Sequence, residues 1–244
     1  MCTVTVVPHD AGIRLMCNRD ERRTRPAAIP PRVHELGVRL AAFPVDPQGG
    51  GSWVGVNDVD IAVALLNVQS QSASRRWTSE PRRSRGLIVR KLLSCGAMAH
   101  ILEGLSILDV AAFDAFRLVI VQGTRVAVAT HDGGGTMTCR QIPLDTPLLF
   151  TSSSLGDARV EGPRQRLFQR MVVRGRAGWL DGQSQFHRHQ WRRRREISVR
   201  MERADALTVS RTVVDVTPAG RMVVYEAPVS EPPSREGQAW CSLH

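Results

Sequence analysis

The chain has 244 residues, 42% of them hydrophobic, with a formal net charge of +10. That is enough apolar material for one substantial core, and no apolar run approaches the roughly 18–20 residues of a membrane span, so a single cytoplasmic domain is expected. Basic charge raises the question of nucleic acid, but Lys91 is the only lysine among 33 basic residues and the arginines are spread along the chain, which reads as a general preference for arginine, not a phosphate footprint.

The N-terminal Val4-Thr5-Val6-Val7-Pro8-His9-Asp10 turns polar too soon for a signal peptide. Val4 and Val6, then Ile13 and Leu15, alternate about turn residues from Pro8 to Gly12, which predicts a hairpin beginning at Cys2. Its second strand returns Cys17-Asn18-Arg19-Asp20-Glu21 to the N-terminus, with Cys2 and Arg19 as neighbours across the ladder. Arg22 to Pro31, basic and proline-rich, is expected to be an extended surface loop. Ser52 to Asn57 and Ile61 to Asn67 predict a second hairpin turning at Asn57-Asp58, with Trp53 as an apolar anchor after Gly49-Gly50-Gly51. A polar connection from Gln69 to Arg85 leads to helices near Leu87 to Leu92 and Ala97 to Leu105.

Strands are expected at Arg117 to Val121, Arg125 to Ala129, Thr136 to Ile142 and Pro147 to Thr151, then a helix over Pro163 to Val173 with the proline in its first turn. The basic run Arg192-Arg193-Arg194-Arg195, after His187, His189 and Trp191, could dock a phosphate or anionic surface, but reads first as a solvated loop or helix end. A last β pair covers Leu207 to Val216 and Arg221 to Tyr225, and beyond Pro228 a Ser, Pro and Glu-rich tail is expected to be disordered. The domain is therefore 1–228, with a tail over 229–244, and the blocks predict an α+β fold with two mostly antiparallel sheets between helical layers.

Five cysteines lie far apart with no C-x-x-C pair, which argues for reduced thiols and against a zinc site. His187 and His189 have no evident third ligand, so no metal or cofactor is implied. Cys2 differs by position. With Met1 removed, one residue carries a thiol and a free α-amine, whose reference pKa of about 7.7–8.0 suits a general base. Arg19 would favour the thiolate and Asp20 would hold the ammonium form. The plainer alternatives are a buried strand cysteine, a structural Arg19–Asp20 pair, and an Asn67 that only caps a strand end.

The motifs Met1-Cys2, Asn18-Arg19-Asp20-Glu21 with Arg25-Pro26, Gly50-Gly51-Ser52-Trp53-Val54-Gly55-Val56-Asn57, Ala64-Leu65-Leu66-Asn67 and Ser84-Arg85-Gly86 resemble those of the NRDE family, that of the transport and Golgi organisation protein 2. The resemblance implies an N-terminal nucleophile (Ntn) hydrolase-like, four-layer αββα sandwich. The first strands are also similar to choloylglycine hydrolases and penicillin V acylases. Carried over, Cys2 is the nucleophile, Arg19 and Asp20 its charged partners, and Asn67 an oxyanion donor. Asn18, Trp53, Ser152 and Arg211 would contact substrate, with Ser152 standing where those hydrolases have an asparagine, Arg211 nearest to an expected arginine, and Asp60 replacing a turn glycine. The implied activity is hydrolysis of non-peptide C–N amides. The alternative is a protein that binds or carries a small ligand such as haem without turnover.

Overall fold

The computed structural model describes residues 2–69, 82–176, 178–227 and 238–243; the expected polar connection falls largely outside them. The chain opens with the hairpin β1 (Cys2–His9) and β2 (Gly12–Arg22), then crosses to a second sheet through β3 (Ile29–Leu36), β4 (Arg39–Val45), β5 (Val54–Asn57) and β6 (Ala62–Asn67). Helices α1 (Gly86–Leu93) and α2 (Met98–Ser106) precede β7 (Phe116–Gln122), β8 (Arg125–His131) and β9 (Met137–Pro143), which complete that sheet. The chain then rejoins the first sheet with β10 (Leu148–Thr151), passes through α3 (Asp157–Phe168) and α4 (Gly178–Arg188), and ends in β11 (Ala206–Thr217), β12 (Gly220–Glu226) and β13 (Gln238–Leu243). The six-stranded sheet runs β10-β1-β2-β11-β12-β13 and the seven-stranded sheet β3-β4-β5-β6-β7-β8-β9, with every described strand pair antiparallel.

Three apolar layers explain the stacking. Val4, Val6 and Leu15 of one sheet meet Val54, Val56 and Val119 of the other. Ile88, Leu92 and Ile101 cover the outer face of the second sheet over Val63, Leu118 and Ile120, while Leu167, Phe168 and Phe186 cover Val7 on the outer face of the first. Each such side chain contributes roughly 1.5–3 kcal/mol by leaving water. The period of two along β2 thus sends Leu15, Cys17 and Arg19 inward between the sheets and Asn18 out toward α4. The result is the four-layer αββα sandwich. Among the described residues no helix is long and apolar enough to cross a membrane.

Several expectations need correction. Ile29 to Pro31 open a strand instead of continuing a loop, and β3 and β4 had no counterpart in the sequence reading. Pro30 and Pro31 are tolerated because β3 is an edge strand whose register shifts between Ile29 and Arg32, so their missing N–H groups break no ladder. Pro163 lies inside α3, because the helix starts earlier, after Gly156 at φ +95°. Gly178 to Arg188 forms a helix whose short apolar face, Trp179, Leu180 and Phe186, is interrupted by Gln183 and His187. It is held by Phe186 in the outer core and by Gly182, where a Cβ would stand 2.2 Å from the Met171 carbonyl oxygen. Part of the supposed tail, Gln238–Leu243, pairs with β12 as an edge strand. The second hairpin forms as expected, with Asn57 Oδ1 accepting from Val59 and Ile61 N–H and Asp60 at φ +66°.

Candidate active site

Register alone places Cys2 opposite Arg19. On the far side of β2, β11 sets Ser210 opposite Arg19 and Thr208 opposite Asp20, across an irregularity between Thr208 and Ser210. On the far side of β1, Ser152 follows the end of β10; its N–H donates to the Cys2 carbonyl at 3.0 Å, and the Cys2 N–H donates to Ser152 Oγ at 3.2 Å. The nitrogen that becomes the α-amine once Met1 is gone therefore faces a hydroxyl.

Cys2 is 4% exposed and Cys17 0%, and they sit diagonally on the same inward face. The neighbouring Cys17 thiol lowers the pKa of Cys2 against the opposing effect of burial, while its own is pushed well up by Cys2 and by burial. Asp20 is buried, which raises its pKa; the Arg164 charge and a 2.6 Å hydrogen bond from Thr208 Oγ1 oppose this. Arg164, itself 1% exposed, spans the layers by donating to Thr3 Oγ1 at 2.9 Å and to the Ile197 and Ser198 carbonyls at 3.1 and 2.7 Å.

The Arg19 guanidinium lies 4.2 Å from the centre of the Trp53 ring, with Asp46 at 3.4 Å and Glu21 at 3.8 Å. Arg25 closes the network by pairing with Asp46 and, at 4.0 Å, with Glu21. Burial works against the Asp46 charge, but the hydrogen bond from Arg25 and the Arg19 charge outweigh it and hold this carboxyl below its usual range. Two glycines bring the remaining wall in. A Cβ on Gly51 would stand 2.3 Å from the Gly86 carbonyl carbon, and Ser52 N–H donates to Gly86 O at 3.1 Å, so the Gly50-Gly51-Ser52 and Ser84-Arg85-Gly86 segments touch backbone to backbone.

These pieces enclose a polar cleft of about 670 Å³ that Cys2, Arg19, Asp20, Trp53, Asn67 and Arg85 line together. Five of the eight residues expected at the site, Cys2, Arg19, Asp20, Trp53 and Asn67, are thus gathered in one place. Ser152 meets the Cys2 nitrogen without lining the cleft. Asn18 and Arg211 lie elsewhere. Asn18 donates to the carbonyls of His187 and Val199, at 2.8 and 3.0 Å, and accepts from His187, tying α4 to the sheet. Arg211 pairs with Glu226 across β11 and β12. His187 is buried between Thr5 and Asn18, and burial, with the charges of Arg211 and Arg164, drives its pKa down to about 3, so it is neutral. Among the described residues no cluster of three or more His, Cys, Asp or Glu is arranged to hold a metal ion. The sequence reading missed Asp46, Arg85, Arg164 and Arg203; only Arg85 carried a signal, through the Ser84-Arg85-Gly86 motif.

The αββα sandwich is an Ntn-hydrolase-like fold, and solved structures agree on it. Penicillin V acylase from Agrobacterium tumefaciens superposes with a TM-score of 0.61 at 10% identity, covering 100% of this chain and 86% of that one. The N-acylethanolamine-hydrolyzing acid amidase ortholog of Caenorhabditis elegans gives 0.53 at 12% identity over 100% of both chains. A variant of the conjugated bile acid hydrolase from Clostridium perfringens gives 0.55 at 12% identity, over 99% of this chain and 92% of that one. The family model for Transport and Golgi organisation 2 matches residues 1–230, and the chain belongs to that family. No curated protein matches it in sequence.

Proposed function

We propose that the protein is a cysteine amidohydrolase that cleaves non-peptide C–N amide bonds after Met1 has been removed. The observation that carries this reading is the meeting of Cys2, Arg19, Asp20 and Asn67 in one cleft, with the Cys2 nitrogen held on Ser152. Cys2 Sγ attacks the amide carbonyl while the α-amine takes the thiol proton, and Asn67 stabilises the oxyanion. The amine then passes that proton to the leaving nitrogen, the C–N bond breaks, and a thioester remains. Water, deprotonated by the same amine, releases the acid and restores the thiol. Asp20 stabilises the ammonium form, and Ser152 fixes the direction of the nitrogen lone pair. Similar folds in a penicillin V acylase and an acid amidase support the reaction class. The protein is proposed to act in the cytoplasm.

The test begins with the intact mass of protein from a native-like host and with labelling by iodoacetamide near neutral pH. Loss of Met1, fast labelling confined to Cys2, and turnover of some member of an amide library by wild type but not by Cys2→Ser are expected. Equal inertness of both proteins across the library sinks the hydrolase.

A second reading is favoured by Ser152, whose hydroxyl engages the Cys2 nitrogen and brings no second side-chain amide to an oxyanion there. The cleft then holds a small anionic ligand such as haem without turnover. Its described lining has no histidine, so only the Cys2 thiolate offers an axial ligand there. A Soret shift on titration with haem, abolished in Cys2→Ala, would mark this role; no shift counts against it.

A further inference from the structure

Seven arginines and five carboxylates line the cleft, and the ion pairs divide them unequally. Arg19 and Arg25 share Asp46 and Glu21, Arg82 holds Asp114 at 3.3 Å, and Arg203 holds Asp205 at 3.4 Å. Arg22 points to solvent. Two remain. Arg83, exposed as well, has its guanidinium over the Phe113 ring, 5.6 Å from the ring centre, and the half-buried Arg85 donates from Nη1 to the Ala115 carbonyl at 2.8 Å; among the described residues neither forms an ion pair with a carboxylate.

Arg85 is the more telling of the two. Arg85 is half-buried, and burial lowers its pKa, with Asp114 and Glu21 only opposing from a distance, so its charge is partly withdrawn from water without a direct counter-ion among the described residues. The position is also fixed. Ala115 adjoins Phe116, which is the ladder partner of Asn67, and Val68 N–H donates to the same Ala115 oxygen at 3.3 Å. Among the described residues, one backbone acceptor leaves most of the five guanidinium N–H donors of Arg85 open at the end of the strand that carries Asn67.

We infer that Arg85, assisted by Arg83, is a carboxylate-binding subsite, so that the ligand of this cleft is an amide with a carboxylate on its acyl or its amine half. A carboxylate there supplies the counter-ion that no described residue provides, in the bidentate geometry that arginine favours. It also fixes the distance from the anchored end to the scissile carbonyl, which a purely apolar tail does not. The inference rests on the amide reading for the ligand class; the charge imbalance stands apart from it.

The experiment is calorimetric binding to Cys2→Ala protein, which cannot turn ligand over. Two matched pairs serve as probes: N-hexanoylglycine with its methyl ester, and adipic acid mono-butylamide with its methyl ester. The acid of one pair should bind about tenfold or more tightly than its ester. That preference should vanish in Arg85→Gln and shrink in Arg83→Gln, while affinity for the ester stays the same. Arg85→Lys, which keeps charge but not the fork, should retain only part of it. Equal binding of acid and ester in both pairs, no binding of either acid, or a preference that survives in both glutamine variants overturns the subsite. Wild-type turnover of neutral amides without acid preference would leave the hydrolase and remove the subsite; acid-selective binding without turnover would do the reverse.

Discussion

Cys17 is the residue whose role the structure changes most. In sequence it is one of several scattered thiols, yet the hairpin register brings it diagonally to Cys2, and its thiol is the leading cause that holds the pKa of Cys2 down. Removing that thiol should therefore raise the pKa of Cys2. In Cys17→Ala the pH profile of iodoacetamide labelling at Cys2 is expected to move upward, and the neutral-pH rate should fall about tenfold for every pH unit that the profile moves. A profile that stays in place would show that Arg19 and the amino terminus suffice to ionise Cys2. At this scale Cys2, Arg19 and Asp20 were legible because hairpin counting fixes their register. Asp46 was not, since its pairing with Arg19 and Arg25 joins different sheets and nothing local marks it.

Elements meet at the cleft through glycine. Gly51 and Gly86 let the β5 approach and the start of α1 come together, and a methyl group on Gly51 has only backbone in front of it. Gly51→Ala is expected to lower stability by about 1–3 kcal/mol in urea unfolding, whereas Gly96→Ala, with nothing within 4 Å of the added carbon, should stay within about 0.5 kcal/mol. Similar losses would mean that the chain relaxes freely at Gly51. Elements with strong alternation or a clear apolar stripe, such as β1, β7, β8 and α1, could be read directly from the sequence. β3 hid behind its prolines, and α4 behind its polar composition. What settles β3 is an edge position in the sheet, and what settles α4 is packing on the outer core, so neither has a local signature.

Across the whole molecule, His187 joins the outer helical layer to the first sheet by hydrogen bonds with Thr5 Oγ1 at 2.7 Å and Asn18 Oδ1 at 2.9 Å. Its pKa is about 3 when folded, against 6.5 ordinarily, so between these values the unfolded chain takes a proton that the folded one excludes. Stability from this group is complete above the higher value and is lost as pH falls toward the lower, by up to about 1.4 kcal/mol per pH unit. In His187→Gln, which cannot titrate, the acid limb of stability measured by urea unfolding between pH 4 and 6.5 should be flatter by about that slope. Parallel limbs in the two proteins would show that carboxylates govern acid unfolding instead.

The sequence by itself determined the α+β class, the pairing of Cys2 with Arg19, the second hairpin and the candidate nucleophile, because strand alternation and turn chemistry act over a few residues. Only the tertiary structure decided that Asn18 faces the outer helix and Arg211 pairs with Glu226, that Ser152 meets the Cys2 nitrogen, and that Arg85 stands in the cleft without a carboxylate partner among the described residues. These follow from which face of a strand looks at which layer and from which charges end up within reach of one another. Both are set by long-range packing and desolvation, which no short stretch of chain encodes.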